Sequence, residues 1–460
     1  MPTDKSQITT WRALVPQASY GTESASGDEM RRVVQNTQTT FDGIGEPEFA
    51  DNSEYDTGSD VADDTWIVKN KSSVNLPQDF NFQDIGIELM DAFGACTDST
   101  LGSLYKHEFL IQNVDTSRQY PPRTILKRYG GIKIVMMPNG ILTQLTISWG
   151  KSDKVKVQSQ YTGNGRYKIN PADYSKPALE ADREYSFSQQ VRFQVFDDTG
   201  GTKQVNTSTA AGSISGAGNI SVTIASNLLK STLVLSVAVA MSDTAALVAG
   251  KVRIALLNNP IIARHFSVSG SSTAIVLTAR LKAANDTTLN IALATGTATG
   301  LTAAPSSVNT TPGVAPTSRA AYSCEVESGS LAINNPIQDG NRGCDEYLVA
   351  DDPKSGPVAS EGLVGKRSYM VDFTCRLESG DKMLDWLVAG KELRFYHRLF
   401  GTDGNGFSLI TEHTNAKVVG AKEEVDGQWI VVRGKLNLLS EDGAIPLTAV
   451  LINDIATYSA

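Results

Sequence analysis

The chain has 460 residues, of which 40% are apolar and 20% charged, with a formal net charge of −9. These proportions are ordinary for a globular protein, and no apolar run approaches the ~20 residues that cross a bilayer as a helix. Nine of the 50 acids lie between Phe41 and Trp66 with no Lys or Arg among them; the other 50 − 9 = 41 acids equal the 41 bases, so no basic stripe points to tight nucleic-acid binding.

Residues 1–40 are polar around Trp11 and Ala13-Leu14-Val15, which suits an arm or a loosely paired strand. The opening residues, MPTDKSQITTWRALVPQ, lack a hydrophobic signal core, so secretion by the usual route is not expected. The acidic stretch 41–66 carries Asp42, Glu46, Glu48, Asp51, Glu54, Asp56, Asp60, Asp63 and Asp64 among Gly, Ser and Asn, and reads as a long extended loop. Trp66–Leu76 is apolar enough for a strand. A helix is expected from about Gln83 to Phe93, preceded by Asp79 or Asn81. There Ile85, Leu89, Ala92 and Phe93 repeat on one face, and Gly94 follows as a cap. A strand is expected around His107–Gln112.

Ile132–Tyr161 reads as a three-stranded antiparallel meander. Pro138-Asn139-Gly140 supplies one turn and Gly150-Lys151-Ser152-Asp153 the other. Ile141, Thr143, Leu145, Ile147 and Trp149 alternate at period two, followed by Val155, Val157 and Tyr161. Lys133, Gln144, Thr146 and Ser148 then form the polar face. Residues 162–184 read as loop, and Tyr185–Val195 as one or two strands.

At Asp197 the composition shifts to Ser, Thr, Ala and Gly until about Arg319. Within this region strands are expected at Ile220–Ile224 and Leu233–Ala240. A helix capped by Ser242 or Asp243 presents Ala245, Val248, Ala249, Val252 and Leu256 on one face, with Pro260 just past its end. Strands follow at Ile262–Val268, Ala274–Ala279 and Leu289–Ala294. Residues 198–319 are therefore read as a small inserted α+β domain between two mainly β parts, 1–197 and 320–460.

The C-terminal part restates the N-terminal one. Tyr369, Val371, Phe373, Cys375 and Leu377 alternate. Ser379 and Asp381 open a short helix with Met383, Leu384, Leu387 and Val388 buried and Gly390 as cap. Strands are expected at Glu392–Leu399, Phe407–Ile410, Asn415–Val419, Trp429–Leu438 and Leu447–Ile452. Gly427–Ile452 echoes the meander of Ile132–Tyr161. The shared order of strand, short helix, strands and closing meander indicates an internal duplication.

No converging catalytic set is found. The four cysteines (Cys96, Cys324, Cys344, Cys375) include no C-x-x-C pair, and the four histidines (His107, His265, His397, His413) show no metal-ligand spacing on a helix. His397, in Phe-Tyr-His-Arg-Leu-Phe, reads as a strand residue, solvent-facing or packed on aromatics. Gly163-Asn-Gly165-Arg is a turn without a following phosphate-binding helix, and Gly401-Thr-Asp-Gly-Asn-Gly lacks the Glu that ends a calcium loop. No catalytic, cofactor-binding or metal residues are expected.

Duplicated β-units with one short helix each resemble the major tail tube proteins of long-tailed, siphovirus-type bacteriophages. The carrying segments are Trp11-Arg-Ala-Leu-Val-Pro-Gln, Ile85–Phe93 with Gly94, and Gly140–Val157. In the second half they are Ser328-Gly-Ser-Leu-Ala-Ile-Asn-Asn, Gly365-Lys-Arg-Ser-Tyr, Lys382–Gly390 and Val418–Leu439. The resemblance covers residues 1–197 and 320–458. It implies a β-sandwich or barrel-like fold whose sheets join edge to edge into rings, and rings that stack into a hollow tube through which DNA is ejected. With two units per chain, trimeric rings of pseudo-sixfold symmetry are expected, with hexameric rings as the alternative. The acidic segment would contact the next ring or line the lumen, and Lys133, Gln144, Thr146 and Ser148 would belong to the wall sheet. The implied partners are further copies of the chain and the tape-measure, terminator and distal tail proteins. DNA would pass without tight binding, and no membrane is involved. The implied location is the virion tail, assembled in the bacterial cytoplasm. Competing readings are a single-ring terminator or adaptor, a surface adhesin or carbohydrate-binding module suggested by the Ser/Thr-rich insert, and a hydrolase with a dispersed site.

Overall fold

Strands dominate the chain, as its alternating apolar pattern demands. The computed structural model describes residues 11–16, 31–33, 46–52, 64–101, 103–111, 120–129, 133–150, 153–163, 168–169, 183–229, 231–257, 259–322, 326–338, 363–364, 367–376, 382–401, 406–426, 429–440 and 447–458. The N-terminal part forms β1 (Trp11–Pro16), β2 (Arg31–Val33), β3 (Glu46–Asn52), β4 (Asp64–Asp79), α1 (Ile85–Phe93), β5 (Cys96–Leu101), β6 (Leu104–Leu110), β7 (Arg123–Tyr129), β8 (Lys133–Trp149), β9 (Lys156–Gly163), β10 (Lys168–Ile169) and β11 (Val191–Thr199).

The centre of this part is β8, and it corrects the expected meander. Pro138-Asn139-Gly140 does not reverse the chain, which runs as one 17-residue strand from Lys133 to Trp149. Pairing jumps from Arg123↔Gly140 to Ile125↔Met137, so Pro138 and Asn139 sit in a bulge opposite Thr124, where proline's missing N–H costs no regular pairing. Asn139 has φ 59°, the left-handed conformation that Asn tolerates. At this kink β8 changes partners, from β7 along 133–140 to β9 along 141–148. β8 and β9 are antiparallel neighbours, as the second expected turn requires; residues 151 and 152 within it lie outside the described residues.

Gly94 ends α1 in the left-handed conformation, with its N–H donating to the Met90 carbonyl. The helix is buried on every side and not on one stripe. Tyr458 lies over Gly86, where even a Cβ would collide with the ring. The buried Asp91 carboxylate is held by Arg123 at 2.7 Å and by the Tyr161 hydroxyl at 2.8 Å. Glu88 is also buried, with Gln78 donating to it. Burial, reinforced by Asp84 and Asp91, pushes its pKa up to about 8. Glu88 therefore folds as the neutral acid. The stability this gives is complete below its ordinary value near 4.5 and is lost as pH rises to about 8. Glu88→Gln, which mimics the neutral acid, is expected to exceed the native chain's stability by about 5 kcal/mol at pH 9 and to match it near pH 4.5; denaturant titration at both values checks this.

Between β11 and the next main-sheet strand the chain forms a separate layer: β12 (Lys203–Thr209), β13 (Ala211–Gly216), β14 (Gly218–Ala225), β15 (Leu233–Val239), α2 (Ala245–Leu257), α3 (Pro260–His265), β16 (Phe266–Ser269), β17 (Ala274–Lys282), β18 (Asn290–Ala294), β19 (Thr299–Thr302) and β20 (Val308–Thr311). Its apolar core, including Val222, Val252, Phe266 and Leu277, is distinct from that of the rest of the chain. Two expectations are corrected. The Thr244 hydroxyl, not Ser242 or Asp243, accepts the Leu247 N–H at the start of α2. Pro260 opens α3, capped by the Asn259 side chain, so that of the strand expected at Ile262–Val268 only Phe266–Val268 is strand, within β16.

The C-terminal part comprises β21 (Ser318–Tyr322), β22 (Val326–Asn334), β23 (Ile337–Gln338), β24 (Leu363–Val364), β25 (Ser368–Arg376), α4 (Met383–Ala389), β26 (Leu393–Phe400), β27 (Ser408–Asp426), β28 (Trp429–Leu438) and β29 (Thr448–Asn453). Antiparallel pairing of β11 with β21 brings the two ends of the inserted layer together at one neck. Phe407–Ile410 and Asn415–Val419 are not separate strands but parts of the 19-residue β27. β28 and β29 do not form a meander, because both pair with β27 at different heights. In α4, Met383 and Trp386 are buried and Leu387 partly so, while Leu384 and Val388 are exposed. Trp386 turns the buried stripe away from the one expected, since its large ring fills the space under the helix.

The two β parts share one topology. In the first, β4 precedes α1, α1 packs on β8, and β4, β9, β8 and β7 are consecutive neighbours. In the second, β25 precedes α4, α4 packs on β27, and β25, β28, β27 and β26 are consecutive neighbours. Their side chains merge into a single core. At its centre Trp149 stacks on His397 with ring centroids 4.5 Å apart, and Phe193 lies 4.8 Å from Phe373. Gly434 faces the Phe373 ring and Gly329 faces Trp149, where a Cβ would meet indole atoms at 2.5 Å. Glycine at both positions makes room for the large rings.

Candidate functional site

The two parts are sewn together by β22. Its residues Gly329–Asn334 pair with Trp149–Gln144 of β8 on one side and with β25 on the other. Seven strands of the main sheet thus become consecutive neighbours, in the order β4, β9, β8, β22, β25, β28, β27. Cross-strand partners share a face. One row across the sheet is therefore Asp79, Lys156, Ser148, Ser330, Asp372, Lys435 and Gly420. The next is Pro77, Gln158, Thr146, Ala332, Met370, Asn437 and Lys417, and a shorter one runs Asn75, Gln160, Gln144, Asn334 and Ser368. The opposite face supplies core residues such as Leu145, Ile147, Val371 and Leu436.

Three of the four residues expected on a polar wall face, Gln144, Thr146 and Ser148, thus lie on one continuous surface spanning both halves. The fourth, Lys133, does not. It is exposed, but it sits beyond the Asn139 kink on the β7 side of β8, opposite Tyr129. The shared face is not acidic. Lys156, Lys417, Lys422, Arg433 and Lys435 outnumber Asp79, Asp372 and Glu424, and Lys435 stands 4.0 Å from Asp372. An open depression of about 650 Å³ lies on it, bordered by Ser148, Ser330, Asp372, Arg433 and Lys435.

The edge of this sheet is asymmetric in an informative way. The distal half of β8 has β9 on one side and β22 on the other. The distal half of β27, from Lys417 to Asp426, has β28 on one side and, among the described residues, no strand on the other. This open edge ends in an apolar hairpin tip. Val425, 77% exposed, faces Ile430, 50% exposed, and Trp429 is 56% exposed. Arg376 stacks over Trp429 at 4.7 Å. Lys422 and Arg433 hold Glu424 at 2.5 and 2.8 Å, which keeps its carboxyl below the ordinary range. An exposed apolar tip beside an open edge is the surface expected of a chain that pairs with another.

The acidic segment is partly strand rather than one long loop. Glu46, Glu48 and Asp51 lie on β3 and Asp64 opens β4, and the two strands pair as a hairpin. Asp42, Glu54, Asp56, Asp60 and Asp63 lie outside the described residues. Cys324, Cys344 and most of the two Gly-rich turns at 163–166 and 401–406 do so as well.

His397 and His413 are buried strand residues. Burial lowers the pKa of both His397 and His413 to about 3, with Arg280 adding to the effect at His413. His397 Nδ1 is 3.1 Å from the Thr411 hydroxyl, and His413 Nδ1 accepts the Asn415 N–H at 3.1 Å.

The structure brings together one group that the sequence reading did not pick out. The hairpin β5–β6 places Asp98 directly opposite His107, with Cys96 two residues away on the same face. Ligand-type atoms of the three lie within 4.8 Å of one another. Burial, and then the hydrogen bond to Asp98, raise the Cys96 thiol pKa. Burial opposes ionisation of Asp98, but hydrogen bonds from His107 and Thr457 prevail and its pKa is lowered. The signal was present as Cys-x-Asp followed by a histidine one strand later, but β5 itself was not recognised. No protein-family model matches the chain, and no curated protein sequence matches it.

Proposed function

We propose that the chain is a structural protein of the phage tail tube type, a β-sandwich or barrel-like wall subunit that assembles into stacked rings around a channel for DNA. One observation carries this reading. The two topologically equivalent units are joined through β22 at the distal half of β8, and the matching half of β27 has, among the described residues, an open edge. The junction made once inside the chain is thus available once more between chains. A neighbouring copy would supply the pairing strand from the region before its own β4, the place that corresponds to β22 before β25.

Three chains would contribute six units and close a ring that leaves no edge exposed. Rings stack into a tube because the stacking contact does not close on itself. The acidic hairpin around β3 is the element assigned to contact between rings. The polar sheet face, with bases and acids interspersed among Ser, Thr and Gln, is assigned to the channel, where DNA passes without being held. The inserted layer, joined to the β parts through the β11–β21 neck, belongs on the tube exterior. The partners are other copies and the tail proteins at the tube's ends and centre, and the place of action is the virion tail after assembly in the bacterial cytoplasm. No catalytic role is assigned.

Native mass measurement of the smallest closed ring tests the stoichiometry. Three chains per ring are expected; six would mean that each chain fills one wall position. Deleting 205–315 leaves both strands of the neck. The truncated chain is expected to assemble at concentrations within about twofold of the intact chain, since the apolar core it loses is separate from that of the β parts.

A further inference from the structure

The geometry points to Cys96, Asp98 and His107 as a binding site for one zinc-type divalent transition-metal ion. Its ligands would be Cys96 Sγ, one Asp98 carboxylate oxygen and His107 Nδ1, with solvent or the second Asp98 oxygen completing four-coordination. Cys96 Sγ is 3.2 Å and His107 Nδ1 2.6 Å from Asp98 Oδ1. A tetrahedral zinc site sets its ligand atoms about 3.3–3.8 Å apart, given its bond lengths of 2.0–2.3 Å. A small rotation of the partly exposed Asp98 side chain reaches that spacing. Two ligands at i and i+2 of one strand and a third directly across from one of them converge on one side of a sheet. A sulfur, nitrogen and oxygen set selects Zn²⁺ or Co²⁺ over the oxygen-seeking Ca²⁺ and Mg²⁺.

A second observation concerns the histidine alone. His107 Nε2 faces only acceptors, the Ile455 carbonyl at 2.9 Å and Asn453 Oδ1 at 3.1 Å. Asn453 Oδ1 is fixed as the acceptor because it also receives the Ile455 N–H, while its Nδ2 donates to the Phe82 carbonyl. Nε2 therefore carries the proton, which is the outer hydrogen bond a metal-bound imidazole makes. Nδ1 then faces a carboxylate oxygen at 2.6 Å, an arrangement that takes either a second ring proton or a metal ion between the two atoms. Thr457 donates to the other Asp98 oxygen at 2.7 Å and so orients the carboxylate from behind. These outer partners, residues 453–457, belong to the segment that passes over α1. Tyr458 continues it, packing on His107 at 4.8 Å and donating to the Gln83 carbonyl. The ion would tie this segment to the β5–β6 hairpin. Binding releases the Cys96 proton to solvent.

Titration of the full chain with Co²⁺ alone tests the site. The expected result is one equivalent bound with a thiolate-to-cobalt charge-transfer band, displaced by Zn²⁺, and a higher melting temperature with either ion. Cys96→Ser, with Cys324, Cys344 and Cys375 retained, should lose the band and at least tenfold in affinity. Thr457→Val should keep the band and weaken binding about tenfold, as loss of an outer hydrogen bond does. Absence of the band at saturating Co²⁺ would overturn the assignment and leave a proton between His107 and Asp98. A band that persists unchanged in Cys96→Ser would place the metal on another cysteine and overturn it equally.

Discussion

Lysine at both Val419 and Val425 yields a folded chain that no longer assembles. Both side chains are exposed on the half of β27 that pairs only with β28 among the described residues, so their replacement removes no core contact. Edge lysines block strand addition because the incoming backbone would have to desolvate and crowd the ammonium groups. The concentration needed for assembly should rise at least a hundredfold, or about 3 kcal/mol per contact. Circular dichroism and melting temperature should stay near the native values. Sedimentation velocity reads the assembly state. Tubes that form unchanged would show that this edge is not the contact between chains.

Acidification from pH 6.5 to 4.5 should cost the folded chain roughly 5 kcal/mol through His397 and His413 together, at about 1.4 kcal/mol per histidine per pH unit. The sign follows from burial. Both residues have folded pKa values near 3, against an ordinary 6.5. Their contribution is present above pH 6.5 and is lost as pH falls toward 3, because only the unfolded chain then takes up the protons. Glu88 works in the opposite sense between its ordinary 4.5 and about 8. Comparison of variants at fixed pH separates the two. A chain with His397→Gln and His413→Gln should lose less stability on acidification than the native one. Denaturant midpoints at pH 7 and pH 5 measure the difference; equal slopes for the two proteins would rule out the histidines as its source.

What could be read from the sequence was local. Ile85 to Gly94 specified a helix and its stop, and the alternation of Tyr369 to Cys375 and of Trp429 to Leu438 specified strands. Repetition of the order strand, helix, strands was legible for the same reason, since it requires only the sequence of elements. Pairing was not legible. Pro138-Asn139-Gly140 carries the residues of a turn, yet β7 and β9 hold the two halves of β8 in one strand, and the bulge opposite Thr124 absorbs the proline. The uniform burial of α1 depends on Arg123 and Tyr458, distant in sequence, and no periodicity within the helix reports them. Likewise the open edge of β27 appears only when its neighbours are known.

The candidate site shows the same division. Gln144, Thr146 and Ser148 were recognisable as the polar side of an alternating strand, but their continuation through Ser330, Asp372 and Lys435 is a property of strand order. Cys96, Asp98 and His107 meet because β5 folds back on β6, and the residues that orient them come from positions 453–457, more than 300 residues away.

The measurement that bears most directly on the central claim is electron microscopy of the purified chain at high concentration. Uniform hollow tubes built from stacked rings, each with six wall positions from three chains, are the predicted result. Isolated rings would contradict the tube and indicate a terminating tail component, and monomers at every concentration would contradict assembly through the open edge of β27.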